Sequence, residues 1–542
     1  MFLKISRSRG HFYLQLVHSY REKDKIKHKI LANLGRFDSL VGNQQLIRLG
    51  ERFLSIAQAK SARIWNIEEE ERLIYGHVVY QRLFEKWNLA ELIKGLMSKS
   101  RCSFDGPAAL HLLLVDRLLS PQSKLKSFER QSRYYDARQD IPLHVLYRCL
   151  DVLAAGKDEI EETLFTRRRD IFNYALDVVF YDVTTFHFES VRADELKDFG
   201  FSKDNKVNEV QVVLGLLVDT YGIPVGFDLF PGHTYEGETI LQALEKLKKR
   251  FAIGNVIIVS DKAMSSKTNF SQIRSASYDY IISMRLRSFS EEMQDMVLQE
   301  KGYQELKGLE RGRFKYKVIR DYVQEMKDDQ GKKRQEKVNL VCFWSEKRAE
   351  RDKAERERML QKARDKFENG SSLSDRRGYR RYIKTKGKSE IEGIDDEQIN
   401  EDARFDGYYV IETSRKSLAA HEVLSAYKRL WQIEESFKIM KSTLWTRPIF
   451  HWTPRRIKGH FVLCFLAFLL ERTLEKTLKN HQIDASPEKI REALNSLQIS
   501  LLNIDDEKYY LKGKSNKLAG EILRIMRIKQ PNNLTLTGEF KL

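Results

Sequence analysis

The chain has 542 residues, 42% of them hydrophobic, and carries 95 Lys plus Arg against 77 Asp plus Glu, a formal net charge of +18. That length and apolar content describe a folded, multidomain protein, and the basic balance favours a polyanionic partner such as nucleic acid, with an anionic membrane surface as the competitor. The N-terminal MFLKISRSRGHFYL has no uninterrupted apolar signal core, and the longest strongly apolar run, Phe461 to Leu470, is far short of the roughly 20 residues that span a bilayer, so no membrane partner and a soluble, cytoplasmic protein are expected.

Two strand-like runs, FLKIS and HFYLQLVHSY, open the chain and are joined through Arg7, Ser8, Arg9 and Gly10, the residues of a positively charged hairpin turn. A short helix follows from about Asn43 to Lys60. This basic N-terminal β module, residues 1–60, is equally compatible with DNA contact and with a small packing domain. Residues 61–165 have helical apolar spacing in ERLIYGHVVYQRLFEKW and PAALHLLLVDRLL, the pattern of a helical DNA-binding domain. The four cysteines, Cys102, Cys149, Cys342 and Cys464, have no CxxC spacing and read as packing residues of a reducing compartment.

From residue 166 the pattern changes. ALDVVFYDVTTFHFES, EVQVVLGLLVD and GIPVGFDLF read as three consecutive strands, antiparallel across the Gly222 and Pro224 turn. GETILQALEKLKKRF has helical periodicity, NVIIVSD is a continuously apolar strand ending in Asp261, and YDYIISMR is a fifth strand. Residues 166–288 are therefore the first part of an α/β core, whose site residues emerge at strand ends. Residues 289–405 interrupt it as a β-rich insertion, with strands FKYKVIRDYV and KVNLVCFW and a densely charged helix from Glu346 to Phe367. The core resumes over 406–475 with the strand DGYYVIET and a helix over Tyr427 to Lys441. A long helix follows, apolar nearly all round in its middle, with His460 near its start read as a packing residue; 476–542 reads as a helical, basic C-terminal region.

At 100° per residue, Tyr427, Glu434 and Lys441 stand seven positions apart and drift by only about 20° each, so all three can face one site. Leu430, Ile433, Phe437, Met440 and Leu444 form an apolar stripe beside that line. Asp182, Asp261 and Glu434 then make an oxygen-only set suited to Mg²⁺ or Mn²⁺. Two such ions about 4 Å apart can activate a water or a 3′-hydroxyl and steady the leaving oxygen of a phosphodiester. Lys441 and Lys438 can hold a phosphate beside the metals, with Tyr427 on the backbone. A nucleotide-driven motor is disfavoured, because Tyr382 stands where the earlier glycine of a phosphate loop would precede Gly387, Lys388 and Ser389; HExxH is absent too.

The layout resembles a bacterial insertion-sequence transposase of the DDE class, in the insertion-sequence-four group. The signature of that group has Tyr, two residues, Arg, three residues, Glu, six residues, Lys, and Tyr427, Glu434 and Lys441 match it in identity and spacing. Leu430 stands at the Arg position; Arg429 points about 160° away from the Tyr427 line, and Lys438, about 20° from it, is the better geometric stand-in. The resemblance carries over to Asp182 in FYDVTT and Asp261 in VIIVSDKAM, and implies a ribonuclease-H-like catalytic core with a β-rich insertion before the Glu. It further implies a protein of the bacterial, nucleoid-associated cytoplasm that cuts the ends of its own mobile element and joins them to target DNA. As partners it implies double-stranded DNA, both element ends and target, and a second copy in a homodimeric synaptic complex. In relatives a tryptophan from the insertion strands stacks on a displaced base, and Trp344 is the candidate here. A metal-dependent nuclease of the same fold and a catalytically inactive DNA-binding protein are the alternatives.

Overall fold

The computed structural model describes residues 2–22, 25–58, 71–100, 102–136, 140–172, 178–188, 192–200, 209–234, 239, 242, 257–260, 273, 278–305, 312–327, 333–368, 378–386, 390–446, 449, 451–504 and 507–540. Asp261 lies outside this set, as do most of the helix expected over 237–251 and much of the basic stretch 369–388.

Strands β1 (Phe2–Ser8), β2 (His11–Glu22) and β3 (Lys25–Arg36) form an antiparallel sheet of three, one more strand than the apolar pattern predicts. Arg9 and Gly10, at φ 49° and 82°, make the two-residue turn between β1 and β2, the left-handed geometry whose twist matches a hairpin. The helix α1 (Gln44–Gln58) lies where it is expected. After β4 (Glu71–Ile74) come the helices α2 (Val78–Lys86), α3 (Leu89–Ser98), α4 (Gly106–Leu119), α5 (Lys124–Glu129), α6 (Leu143–Ala155) and α7 (Lys157–Phe172).

The central sheet has nine strands. Its first five are β5 (Val178–His187), β6 (Gln211–Asp219), β7 (Pro224–Pro231), β8 (Ile257–Ser260) and β9 (Asp279–Met284). The first three pair antiparallel, as their alternation and turn predict, while β8 runs parallel to β5 and β9 parallel to β8. Strands β10 (Gln304–Glu305), β11 (Phe314–Lys327) and β12 (Lys333–Ser345) lie beyond β15 (Tyr408–Thr413) in the same sheet, in the order β10-β11-β12-β15-β9-β8-β5-β6-β7. A separate hairpin, β13 (Ile383–Lys386) and β14 (Glu390–Ile394), follows the helix α8 (Glu346–Glu368).

The helix expected as one piece over Tyr427 to Lys441 is three segments: α9 (Ala420–Lys428), α10 (Trp431–Lys438) and a wide π turn over Ile439–Thr443. Between the first two the backbone tightens. Leu430 N–H donates to Tyr427 O at 2.9 Å and Ile433 N–H to Leu430 O at 3.0 Å, bonds spanning three residues instead of four. At the far end Leu444 N–H reaches Ile439 O at 2.8 Å, a span of five residues.

Helix α11 (Pro454–Asn480) is the axis of the main core, with every residue from Phe461 to Leu470 buried, as the all-round apolar run predicts. It packs on α4, α6, α2 and β7, and is tied to the N-terminal helices by Trp87 Nε1–H donating to Thr473 Oγ1 at 3.1 Å and Tyr80 O–H to Glu471 Oε2 at 2.6 Å. No described helix is long and apolar enough to cross a membrane. The end of the chain departs from the helical expectation. Helices α12 (Pro487–Asn495) and α13 (Lys517–Ile525) are accompanied by β16 (Gln498–Ile504), β17 (Glu507–Lys512) and β18 (Leu534–Leu536), in a four-stranded sheet ordered β18-β17-β16-β4. β16 pairs with β4 from the other end of the chain, and local periodicity carries no trace of such a partner.

Candidate active site

Strand β5 lies inside the sheet, between β6 and β8, with Asp182 opposite Leu216 and Phe180 beside Val259. Alternation sends Phe180, Asp182, Thr184 and Phe186 to one face and Tyr181 and Val183 to the other. Phe180 and Phe186 are buried in the main core, while Tyr181 and Val183 belong to a second apolar cluster behind the sheet. Asp182 is thus a half-buried carboxylate on the face that carries the main core. Its Oδ1 accepts from Val183 N–H at 2.8 Å.

Helix α10 packs on that strand. The stripe of Leu430, Ile433, Phe437, Met440 and Leu444 is buried throughout, which turns the polar row outward along the margin of the core. Tyr427 is half-buried and Glu434 is exposed, and both line one cleft of about 550 Å³. The bend between α9 and α10 falls between these two residues without separating them. Glu435, next in sequence, accepts from the buried Arg472 at 2.9 Å and so anchors α10 to α11. Lys441, on the π turn, sets its ammonium 5.6 Å from the ring centre of Phe186, two alternations along β5 from Asp182. The strand of Asp182 thus packs against the helix of Glu434 and, through Phe186, against Lys441 on the turn that follows it.

The cleft holds cations that motif reasoning missed. Lys347, Arg348 and Arg351, from the first turn and a half of α8, line it with Tyr427, Glu434 and Trp431. Arg348 sits 4.7 Å over the ring of Tyr409. The dense charge of α8 reads as a solvated face, and only the junction with β12, which pairs with β15, the strand of the cleft residue Tyr409, brings its beginning into the cleft. Leu430, at the position of the signature Arg, is 9% exposed and belongs to the core.

The remaining expected residues are placed as follows. Lys438 is exposed, and its charge helps to hold the Glu488 carboxyl below its ordinary range, behind the larger effect of a hydrogen bond from Thr443. Trp344 pairs with Tyr408 in register, one residue out of phase with the cleft residue Tyr409 and its partner Phe343, so alternation turns it to the other face of the sheet. There its indole N–H donates to Asp406 O at 3.2 Å and Lys315 lies 5.0 Å over its ring. The structure does not bring Trp344 to Tyr427 and Glu434. Asp261 is bonded to Ser260, the buried end of β8, and itself lies outside the described residues.

Among the described residues no three His, Cys, Asp or Glu side chains gather as a metal site. The described members of the expected set, Asp182 and Glu434, are both carboxylates, the donor chemistry a hard divalent cation takes.

Residues 174–470, more than half of the chain, match the family described as Transposase DDE domain. The chain belongs to this family. It is a DNA transposase, of a family that works with divalent metal ions. Residues 3–69 of the transposase match a second family, described as IS1634 family transposase, N-terminal domain. The expected insertion-sequence-four subgroup is not confirmed: the N-terminal match is to the IS1634 family. The Tyr427, Glu434, Lys441 spacing sits in the catalytic segment, whereas the subgroup match is carried by the N-terminal module. Among solved structures, the transposase is similar to the piggyBac transposase synaptic complex with hairpin DNA, at 9% identity and a TM-score of 0.34, over 78% of this chain and 80% of that one. It is also similar to the Mos1 transposase paired-end complex with left transposon end, at 11% identity and a TM-score of 0.15, over 32% of this chain and 57% of that one. No curated protein matches the chain.

Proposed function

We propose that this transposase binds the ends of its own insertion sequence, cuts phosphodiester bonds there and transfers the freed strands to target DNA. The observation that supports the proposal is the packing of α10, the helix of Glu434, on β5, the strand of Asp182, with Lys441 on the following π turn 5.6 Å from the ring centre of Phe186 on that same strand. The order β7-β6-β5-β8-β9, three antiparallel strands followed by two parallel ones, supports a ribonuclease-H-like core.

Asp182, Asp261 and Glu434 would hold two Mg²⁺ or Mn²⁺ ions, Asp261 following directly on the strand that runs parallel to β5. Bound there, the ions would make water or a 3′-hydroxyl nucleophilic and stabilise the leaving oxygen. The chain's own groups do the rest. Arg348 and Arg351 in the cleft and Lys441 on the π turn hold the negative phosphates, with exposed Lys438 about one turn before Lys441. The Tyr427 hydroxyl donates to the DNA backbone, and Glu435, held by Arg472, keeps Glu434 in place. A homodimer pairs two element ends, as the resemblance implies. The test is Mn²⁺ binding by the full chain, followed by paramagnetic resonance. Tight sites lost in Asp182→Asn and in Glu434→Gln support the assignment, and parent-like binding in both variants refutes it.

A further inference from the structure

Away from the cleft, a second pocket of about 330 Å³ opens where α4 and α5 meet Trp445, His451 and His460. Its wall is buried and carries two basic side chains, Arg117 and Lys124; burial pushes the His451 imidazole down to about 3 and His460 well below the usual imidazole range, so both histidines are neutral. Arg117 is 4% exposed, Lys124 4%, His460 3% and His451 8%. The two guanidinium ends of Arg117 donate to Leu444 O at 3.2 Å, Trp445 O at 3.0 Å and Gln122 O at 3.1 Å, and its Nε has no partner. His460 Nε2–H donates to Thr446 O at 3.2 Å, and its Nδ1 is buried without a partner. Among the described residues no carboxylate comes within ion-pair distance of Lys124; Asp116, whose charge acts on it, is engaged by Ser127 and by Tyr134. An isolated buried ammonium is costly, and the group that compensates it is an anion.

The mouth of the pocket carries an aromatic. Trp445 holds φ at 44°, a left-handed conformation that a bulky residue rarely adopts. Its carbonyl is clamped by Arg117 and its indole is 55% exposed. Trp452, next to His451, is 72% exposed. Arg456 lies 5.0 Å over the ring of Tyr147, another lining residue.

We infer that this pocket binds a phosphate of a DNA strand, gripped by Lys124 and Arg117, while an adjoining unpaired base stacks on Trp445. The site is separate from the Tyr427 and Glu434 cleft, and a basic wall with an aromatic at its mouth is the combination that holds single-stranded nucleic acid. Burial, together with the charge of Arg117, lowers Lys124 to about 7, and a bound phosphate would favour its charged form.

The test measures binding of the full chain, without divalent metal, to a duplex of the gene's own flanking ends bearing a single-stranded tail. Lys124→Met should weaken binding roughly tenfold and reduce the slope of log K against log salt by about one, while melting no lower than the parent, because it removes an unpaired buried charge. Trp445→Ala, at an exposed side chain, should weaken binding of the tailed duplex roughly tenfold and leave the salt slope unchanged. Parent-like affinity and slope in Lys124→Met, or equal loss on tailed and blunt duplex in Trp445→Ala, overturns the inference. So does inorganic phosphate that binds the parent at Lys124 and is not displaced by the tailed duplex. The catalytic reading fails by a different result, metal-dependent cutting by Glu434→Gln at the parent's rate, so the two failures are distinguishable.

Discussion

Leu430 is the residue at which the local chemistry departs most from the signature. It is buried in the stripe that seats α9 and α10 on the core, so a guanidinium there would be driven into apolar surroundings. Leu430→Arg is therefore expected to lower unfolding stability by about 2 kcal/mol or more, and to leave strand cleavage no faster; a stable and faster variant would contradict this. In this account the missing positive charge comes from Arg348 and Arg351. Replacing both with Ala should cost roughly tenfold or more in affinity for end DNA and reduce the salt slope by about two, measured by titration at several salt concentrations. An unchanged slope would remove them from the phosphate path. The Tyr427, Glu434 and Lys441 spacing was legible because it repeats every seven residues. The two arginines were not, since within α8 nothing distinguishes them from the other alternating charges.

Helices and strands here are held by buried charge as well as by apolar packing. Arg168 of α7 and Asp219 at the end of β6 form a buried ion pair, and Asp219 Oδ1 also accepts from Tyr221 N–H at 2.7 Å and Ile223 N–H at 2.9 Å, closing the turn into β7. Asp219→Ala leaves Arg168 buried without that partner and opens the turn, a loss of about 3–5 kcal/mol in denaturant unfolding; a loss under about 1 kcal/mol would show the pair to be dispensable. On β15, burial raises Glu412 to about 7, with Tyr280 O–H donating to it at 2.6 Å. Its carboxyl therefore stays protonated in the folded state where the unfolded chain, titrating near 4.5, has lost the proton. That contribution to stability is complete below about pH 4.5, falls as pH rises towards about 7 and is gone above it. Glu412→Gln should flatten this part of the stability profile and exceed the parent at pH 8 by up to about 3 kcal/mol, and an unchanged profile would contradict the assignment. Elements of this kind were legible where the pattern is local, as in the antiparallel β5 to β7 run and the all-apolar middle of α11. The tight turn at Leu430, the π turn after Lys438 and the strands β16 to β18 were not, because each depends on a backbone adjustment or a distant partner.

At the scale of the whole molecule, a long buried helix supports a sheet whose inner strand carries Asp182. The residues from 289 onward add strands to that same sheet and end in a helix that returns arginines to the cleft. The α/β class and the succession of core strands along the chain followed from the sequence, and their spatial order in the sheet did not. The shared sheet did not, because pairing of β12 with β15 joins segments far apart in the chain. The +18 charge is distributed over surfaces that include both the cleft and the pocket beneath Trp445, so binding of end DNA should fall steeply with salt. The central claim is that Asp182, Asp261 and Glu434 act as one metal-holding set. Its most direct test is cleavage and joining, in Mg²⁺, of DNA bearing the gene's own flanking ends, comparing the parent with Asp182→Asn, Asp261→Asn and Glu434→Gln. The account predicts that the parent cuts and joins, while each variant binds the ends with parent-like affinity and cuts at least a hundredfold more slowly, roughly 3 kcal/mol of lost transition-state stabilisation. Cutting by any one of the three variants at the parent's rate would contradict it.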